Sequence, residues 1–388
     1  MSLRMPLRVA LAAAGAALAL PPVQAKAAAL EQTVPPVIRL LYQEGTYGEI
    51  GTAFTDPHQS GEGATLPPSV GGVTIPGNTG DVFRSRWNFS GAFKADINER
   101  LSYLLIFDQP YAADTRYGKG TFPGGTPPFG FTYDGSLADL KTDQLTGVLA
   151  YDLEGGFKLF GGLRAQRLDA KAAIPFINGY AVDADPNWGY GYLLGLAYSR
   201  PDIALRVALS YYSKIDHGLH TNETTATDSL SDTTDIDTPQ SASLEFQTGI
   251  APQTLVFGSV RWVDWSEFSI EPPLYAATTQ ALLGAPRALV DYQDDWWTYN
   301  LGIGRQLTDQ LAGSVSITWE PSVGGIMTTL GPYDGRTLGT VALSYDYGKV
   351  NVTGGVTYGV LGDTTNLLQT DFNDGRVWGA GLRVGYTF

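Results

Sequence analysis

The chain ends in VWGAGLRVGYTF (Val377–Phe388), a stretch whose polarity alternates from one position to the next. Glycines, Arg383 and Thr387 fall on one side of the extended chain. The other side carries Trp378, Ala380, Leu382, Val384, Tyr386 and Phe388. A strand with this pattern has one face in an apolar medium and the other against a more polar interior. The segment therefore predicts a β-strand that separates two environments.

The same alternation recurs from Leu40 onward in segments of about ten residues, the length of a strand that crosses a membrane. In one segment Val341 and Leu343 share a face, while Thr340 and Ser344 take the other. A soluble β-sandwich alternates in the same way, so alternation alone does not separate the two folds. The spacing of the connections does separate them.

Short and long connections take turns along the chain, as they do in outer-membrane barrels. The predicted short turns lie at 97–100, 154–156, 199–202, 251–253, 307–309 and 346–349. The predicted long loops lie at 55–80, 110–137, 168–188, 214–240, 268–295, 320–336 and 361–376. The sequence thus predicts an all-β fold, a 14-stranded antiparallel transmembrane β-barrel with short periplasmic turns and long extracellular loops.

The first residues have the features of a secretory signal peptide. Arg4 and Arg8 give a basic start, and the apolar run Val9–Leu20 precedes a small-x-small cleavage site that ends near Ala25. This run is shorter than the roughly 20 residues that a spanning helix needs. The predicted division is a signal peptide at 1–25, a short periplasmic or plug-like segment at 26–36, and the barrel at 37–388.

Composition excludes several kinds of site. Charged residues make up 16% of the chain, whereas soluble domains contain about a quarter. Cysteine is absent, which removes disulfides, thiolate metal sites and cysteine nucleophiles. A formal charge of −14 argues against nucleic acid as a partner. No cofactor and no metal site are expected, and the acidic run Asp228–Asp237 is interpreted as a solvated loop.

Aromatic residues fall where the strands should meet the membrane interface. They include Trp87, Trp262, Trp265, Trp296, Trp297 and Trp319. Phe388, at the end of an alternating strand, is the kind of residue that the barrel assembly machinery reads. The expected location is the cell outer membrane, in contact with its lipid and lipopolysaccharide.

Several stretches resemble the FadL/TodX family of outer-membrane long-chain fatty acid transport proteins. They are Ala29–Phe54, Leu105–Tyr117 (LIFDQPYAADTRY), Thr238–Phe268, Tyr299–Gly302 and Val377–Phe388. The resemblance implies a monomeric barrel with a ligand-binding lumen, through which hydrophobic compounds, above all long-chain fatty acids, diffuse inward. Better-known members begin with a plug that carries Asn-Pro-Ala, a tripeptide this chain lacks, so a full plug is not expected.

A fatty acid channel needs a cation for the carboxylate, and alternation places arginines on the lumen faces. The resemblance implies that such basic residues bind the acid headgroup. The candidates are Arg84, Arg86, Arg164 and Arg261. The alternative is that these arginines pair with lumen acids such as Glu245, in structural networks.

Some of the predicted outer loops are rich in apolar side chains, which suits the capture of hydrophobic solutes. The candidates for contact with substrate are Phe122, Phe129, Phe176, Leu282 and Leu283, and residues 276–283 are expected to form a short helix. The same side chains could instead pack together to close the mouth of the barrel.

Two other functions compete with this interpretation. A general porin for small polar solutes would also have Thr, Ser and Gly on the inward strand faces, but its loops need no apolar residues. An outer-membrane lipid hydrolase needs a serine and a histidine at the membrane face. His58, His217 and His220 all fall in or beside predicted outer loops, and the sequence has no Gly-x-Ser-x-Gly motif. The protein is therefore not expected to be an enzyme.

Overall fold

The computed structural model of the protein describes residues 30–66, 68, 72–118, 120–123 and 131–388. Within these residues, fourteen antiparallel strands form one closed sheet. They are β1 (Tyr47–Thr65), β2 (Arg86–Asp96), β3 (Leu101–Asp108), β4 (Leu137–Asp152), β5 (Phe157–Ile174), β6 (Tyr180–Arg200), β7 (Leu205–Tyr212), β8 (Ser241–Ala251), β9 (Thr254–Val263), β10 (Trp296–Gln306), β11 (Leu311–Glu320), β12 (Arg336–Tyr347), β13 (Val350–Leu361) and β14 (Asp371–Thr387).

The structure also contains shorter strands and helices. The short strands are Thr74–Asn78, Ala112–Arg116, Gly218–Thr224, Ser229–Asp235, Ser269–Ile270, Val290–Asp291, Ile326–Met327 and Thr364–Asn366. The helices are α1 (Val37–Leu41) and α2 (Pro273–Leu283), with single 3-10 turns at Glu154–Gly156 and Pro201–Ile203. In the part of the chain that the structure describes, none of the helices is long and apolar enough to cross a membrane. The helix expected at residues 276–283 is confirmed and begins three residues earlier.

The sheet closes between its first and last strands. β1 pairs with β2 along one edge and with β14 along the other. Along the seam Tyr47 lies opposite Thr387, and the N–H of Phe388 donates to the carbonyl of Thr46 at 2.9 Å. The predicted 14-stranded antiparallel barrel is therefore confirmed.

The two faces of the sheet differ as the alternation predicts. Leu163, Leu209 and Leu301 point away from the barrel, and each is more than half exposed. On the inner face the hydroxyls of Ser344 and Thr353 lie 2.9 Å apart, and both residues are buried. An exposed apolar belt around a polar-lined interior is the surface of a barrel that sits in lipid.

Several strands are longer than the sequence analysis predicted. Most of the predicted loop 168–188 is strand, because β5 continues to Ile174 and β6 begins at Tyr180. The outer face of these extensions carries ion pairs such as Lys141 with Asp169, 3.2 Å apart. Charged side chains do not face lipid, so the strand ends rise above the apolar belt into water.

Residues 30–46, here called the plug, lie inside the barrel. All five side chains of α1 are buried, and they pack against inward residues of the strands such as Leu104 and Leu193. The sequence predicted a barrel that begins at residue 37 and no full plug, whereas the first strand begins at Tyr47. A short apolar run such as VIRLL does not distinguish helix from strand by its periodicity, which explains the difference.

An ion pair holds the plug at the end of the barrel that carries the short turns. Both Nη atoms of Arg39 donate to the carboxylate of Glu49 on β1, with Nη1 to Oε2 at 2.6 Å. The hydroxyl of Tyr47 donates to the same carboxylate at 2.9 Å, and Nε of Arg383 lies 3.7 Å from it. Because these groups are buried, the interaction is little screened by solvent.

Candidate functional site

An apolar cavity lies at the end of the barrel that carries the long loops. Its volume is about 600 Å³, a figure that includes space open to solvent. Its lining comes from inward positions of β4–β6, from the segment 270–292 and from the first plug residue: Ala138, Leu140, Ala172, Val182, Ile270, Leu289, Val290, Tyr292 and Leu30. Lys171 also borders the cavity, but its ammonium group lies 3.7 Å from the carboxylate of Asp139.

Short side chains create the space for this cavity. Ala138 on β4 lies directly opposite Ala172 on β5, and Ala170 lies opposite Ala184 on β6. A larger apolar residue at any of these positions would project into the space that the cavity now occupies. The alanines therefore set the volume, and the residues around them make it apolar.

Below Leu30, the plug meets a layer of polar side chains. Glu31 accepts hydrogen bonds from Arg261 of β9, with Nε to Oε2 at 2.9 Å and Nη2 to Oε1 at 2.6 Å. The guanidinium also donates to the hydroxyls of Ser243 and Ser241 at 2.8 and 2.9 Å. Arg261 thus makes four hydrogen bonds, two of them to the carboxylate of Glu31.

A second buried arginine lies in the same layer. Arg164 donates to the carbonyl of Ser213 and to Oε1 of Gln144, each at 3.0 Å. Its guanidinium carbon and that of Arg261 each lie 5.5 Å from the ring centre of Tyr212. The two cations therefore share one aromatic ring as a neighbour.

A buried histidine extends this network. The Nε2–H of His217 donates to Oε1 of Gln166 at 3.1 Å, and the Nε2 group of Gln166 donates to Oε1 of Gln144 at 3.0 Å. Burial lowers the pKa of His217 to about 4, because the charged imidazolium loses its hydration. His217 is consequently neutral at physiological pH.

The barrel wall has an opening between β2 and β3. These strands pair only from Gly91 opposite Phe107 to the short-turn end of the barrel. After Asp108 the chain turns at Pro110, and the following strand Ala112–Arg116 pairs with β4 instead of β2. Pro110 lacks a backbone N–H, so it cannot continue the ladder with β2.

The wall opening is bounded on all sides. Toward the long-loop end, Phe83 forms a β-bridge with Thr115. Across the middle, the side chain of Gln109 accepts from the N–H of Phe89 at 3.0 Å and donates to Asp143 at 2.9 Å. Trp87 and Phe89 are both 57% exposed beside the opening on the outer surface. The interruption of the strand ladder thus lies beside the belt that faces lipid.

The structure separates the predicted arginines. Arg84 is exposed above the wall opening, where its N–H donates to the carbonyl of Asp114 at 3.2 Å. Arg86 lies at the inner rim of the opening and donates to Asn88 at 3.0 Å. The other two, Arg164 and Arg261, lie together in the polar layer.

The apolar residues predicted to contact substrate also lie in different places. Phe122 is buried in the cluster that surrounds the cavity, and Phe176 packs against this cluster, with its ring 5.2 Å from that of Phe131. Phe129 lies outside the described residues. Leu282 is 38% exposed, and neither it nor Leu283 lines the cavity. The apolar loop residues therefore pack mainly on one another.

Some features of the site were not predicted from the sequence. Leu30 and Glu31 were assigned to a periplasmic or plug-like segment without a role at the site, and the cavity alanines were not predicted because alanine fits almost any position. The wall opening did leave a signal, since proline inside a predicted strand marks an edge or an interruption. Pro110 stands at the edge of the predicted loop 110–137, where this signal was not used.

Residues 46–374 match the family described as outer membrane protein transport protein (OMPP1/FadL/TodX). The chain belongs to this family. It is therefore an outer membrane transport protein, and the resemblance found in its sequence is confirmed. No curated protein matches the sequence closely enough to be counted as a relative.

Solved structures share the fold of this FadL/TodX-family protein. A FadL homologue of Pseudomonas aeruginosa is 13% identical with a TM-score of 0.73, over 90% of this chain and 92% of that one. The toluene transporter TodX of Pseudomonas putida is 11% identical with a TM-score of 0.62, over 90% and 92%. The toluene transporter TbuX of Ralstonia pickettii is 13% identical with a TM-score of 0.62, over 90% and 92%.

Proposed function

We propose that this protein takes up small hydrophobic molecules, which bind in the apolar cavity and leave through the wall opening. The cavity is the observation that carries the proposal. It lies inside the barrel at the long-loop end, which in outer-membrane proteins faces the outside of the cell. A molecule captured there exchanges water for hydrocarbon contacts, and this transfer is favourable in proportion to the apolar area buried.

Neutral molecules are the preferred cargo in this proposal. Apart from Lys171, which lies beside Asp139, the lining offers hydrocarbon and single hydroxyls such as that of Thr221, so a neutral apolar molecule gives up few hydrogen bonds on entry. The names of TodX and TbuX as toluene transporters support the same class. Long-chain fatty acids, the cargo expected from the sequence, are the second candidate. Arg261, one layer below Leu30, is the observation in their favour.

The proposed exit is sideways into the outer membrane. The plug fills the lumen toward the short-turn end, where α1 packs against the surrounding strands and Arg39 is paired with Glu49. The wall opening offers another path, which ends beside Trp87 and Phe89 in the apolar belt. A hydrophobic molecule on this path need not cross the periplasmic end.

Several accompanying features belong to the same proposal. Cleavage near Ala25 would release the mature chain, and the exposed Phe388 would be read by the barrel assembly machinery. The mature protein would act as a monomer in contact with lipopolysaccharide. The proposal includes no catalytic step.

Uptake by cells tests the proposal. Cells that lack the gene, with and without a plasmid copy, are given labelled toluene, labelled oleate and a labelled sugar. We expect the plasmid to restore uptake of a hydrophobic solute and to leave the sugar unchanged. A plasmid that restores only sugar uptake would identify a polar-solute porin.

A variant that fills the cavity links uptake to the binding site. Ala172→Phe places a ring in the cavity, and we expect uptake to fall about tenfold, which corresponds to ~1.4 kcal/mol of lost binding. The matched control is Ala380→Phe, because Ala380 lies on the outer face of β14 between Trp378 and Leu382. Equal uptake by both variants, at equal amounts of folded barrel, would contradict binding in the cavity.

A further inference from the structure

The pairing of Glu31 with Arg261 has the geometry of a bound carboxylate ligand. Two donors of one guanidinium face the two oxygens of the Glu31 carboxylate, at 2.9 and 2.6 Å. Ser241 and Ser243 hold the guanidinium in place by accepting two further hydrogen bonds from it. Such a rigid, oriented fork is what recognises a carboxylate in a binding site.

This internal carboxylate belongs to the residue that follows a residue of the cavity lining. Leu30 lines the cavity, and Glu31 is the next residue. The backbone fixes both, because the carbonyl of Leu30 accepts from the N–H of Ala112 at 2.8 Å, and the side chain of Gln32 donates to the carbonyl of Ala112 at 3.3 Å. An acid whose alkyl chain occupied the cavity would therefore bring its carboxylate to the place that Glu31 fills.

The cations of the polar layer already have carboxylates of the protein beside them. Arg164 and Arg261 supply two positive charges, and Glu31 and Asp108 supply two carboxylates. Asp108 is 2% exposed and accepts from the hydroxyl of Thr33 at 3.2 Å and from Gln144 at 3.3 Å. A further anion would have to displace Glu31 or remain beside it in a medium that screens charge poorly.

We propose that Glu31 sets the selectivity of the channel by occupying its carboxylate site, so that neutral hydrophobic molecules are bound in preference to acids of the same chain length. The inference rests on the proposed function, since it concerns cargo in the same cavity. Removal of the Glu31 charge leaves Arg261 and its serines as an empty anion site below the cavity. The same channel then accepts carboxylates.

Binding of decanol and decanoate to the purified protein in detergent tests this proposal. The two probes have equal chain lengths, and decanoate is ionised at pH 8, far above the usual pKa of a carboxyl group. Titration calorimetry, corrected for partition into protein-free micelles, gives a dissociation constant for each probe. We expect the unmodified protein to bind decanol more tightly than decanoate.

The variant Glu31→Gln keeps the shape of the side chain and removes its charge. We expect its affinity for decanoate to rise about tenfold and its affinity for decanol to stay within about twofold. Addition of Arg261→Gln to the same chain should abolish the gain. The matched control is Glu49→Gln, which also removes a carboxylate from a pair between plug and wall, but at the opposite end of the plug.

The possible results separate this inference from the proposed function. An unchanged ratio of decanoate to decanol affinity in Glu31→Gln, or an equal shift in Glu49→Gln, would overturn the role of Glu31. Tighter binding of decanoate than of decanol by the unmodified protein would overturn it as well, even if the variants failed to fold. If neither probe binds and cells show no hydrophobic uptake, the proposed function itself fails.

Discussion

The hydroxyl of Tyr180 donates to the carboxylate of Glu223 at 2.9 Å, in a buried position beside the first turn of α2. The same carboxylate accepts the N–H groups of Leu274 and Tyr275 at 3.1 and 3.0 Å. The first N–H groups of a helix have no partner within the helix, and a carboxylate satisfies them and favours the positive end of the helix dipole. Glu223 therefore links α2 to the strand Gly218–Thr224, which contributes Thr221 to the cavity lining.

Replacement of Glu223 by alanine should weaken the attachment of α2 to this strand. The variant leaves two helix N–H groups and a buried hydroxyl without their acceptor, at a cost of ~1–3 kcal/mol for each unsatisfied group. We expect hydrogen exchange of the α2 amides to accelerate at least about tenfold. Glu271→Ala, which removes an exposed carboxylate just before the helix, is the control and should leave the exchange unchanged. Equal acceleration in both variants would refute the capping role.

A bulky residue at the wall opening should slow transport and spare binding. Asn88 is buried at the inner rim of the opening, next to Arg86. We expect Asn88→Trp to reduce uptake of labelled toluene by cells about tenfold, and to leave the affinity of the purified protein for decanol within about twofold. Phe89→Trp, on the lipid side of the same strand, is the control. Normal uptake by Asn88→Trp would exclude the opening as the exit.

Low pH should lower the stability of the folded protein, in part because His217 becomes protonated. Its pKa is about 4 in the folded protein, against an ordinary value of 6.5, so the unfolded chain takes up a proton first as the pH falls. The stabilisation by neutral His217 is complete above pH 6.5 and is lost down to pH 4, by on the order of 2–3 kcal/mol. We expect the thermal midpoint of His217→Gln to fall less between pH 7 and 4.5 than that of the unmodified protein.

The carboxylates of the barrel titrate over part of the same range, so a matched histidine variant is needed. His220 is exposed and lies 3.1 Å from the hydroxyl of Ser231. His220→Gln should show the same fall in midpoint as the unmodified protein. If His217→Gln also shows that fall, burial of His217 makes no contribution to acid sensitivity.

The barrel itself could be predicted because the alternation of side chains is visible within each strand segment. In Val377–Phe388 each side chain faces lipid or lumen according to its place in an alternating series, and this series is visible without knowledge of any partner. The lengths of the connections then give the number of strands. The ends of the strands could not be placed, because above the membrane a strand may carry charges such as Lys141 and Asp169 on its outer face.

The interior of the barrel depends on contacts that no local pattern records. Glu31 and Arg261 are 230 positions apart, and nothing near either residue indicates the other. The sequence did indicate that arginines lie in the lumen, and Arg164 and Arg261 do lie there. Their partners are decided by where the plug runs, and its helix is too short to be recognised by periodicity.

The seam between β1 and β14 also governs the order in which the protein assembles. It pairs the first strand with the last, with Tyr47 opposite Thr387, and these strands are the farthest apart in the sequence. The entropy of loop closure therefore makes this pairing a late step of folding. The plug precedes β1 directly and is enclosed by that same step. If β1 and β14 paired before residues 30–46 had entered the barrel, these residues would have to be inserted afterwards through the short-turn end. Enclosure of the plug and closure of the wall are therefore coupled steps of assembly.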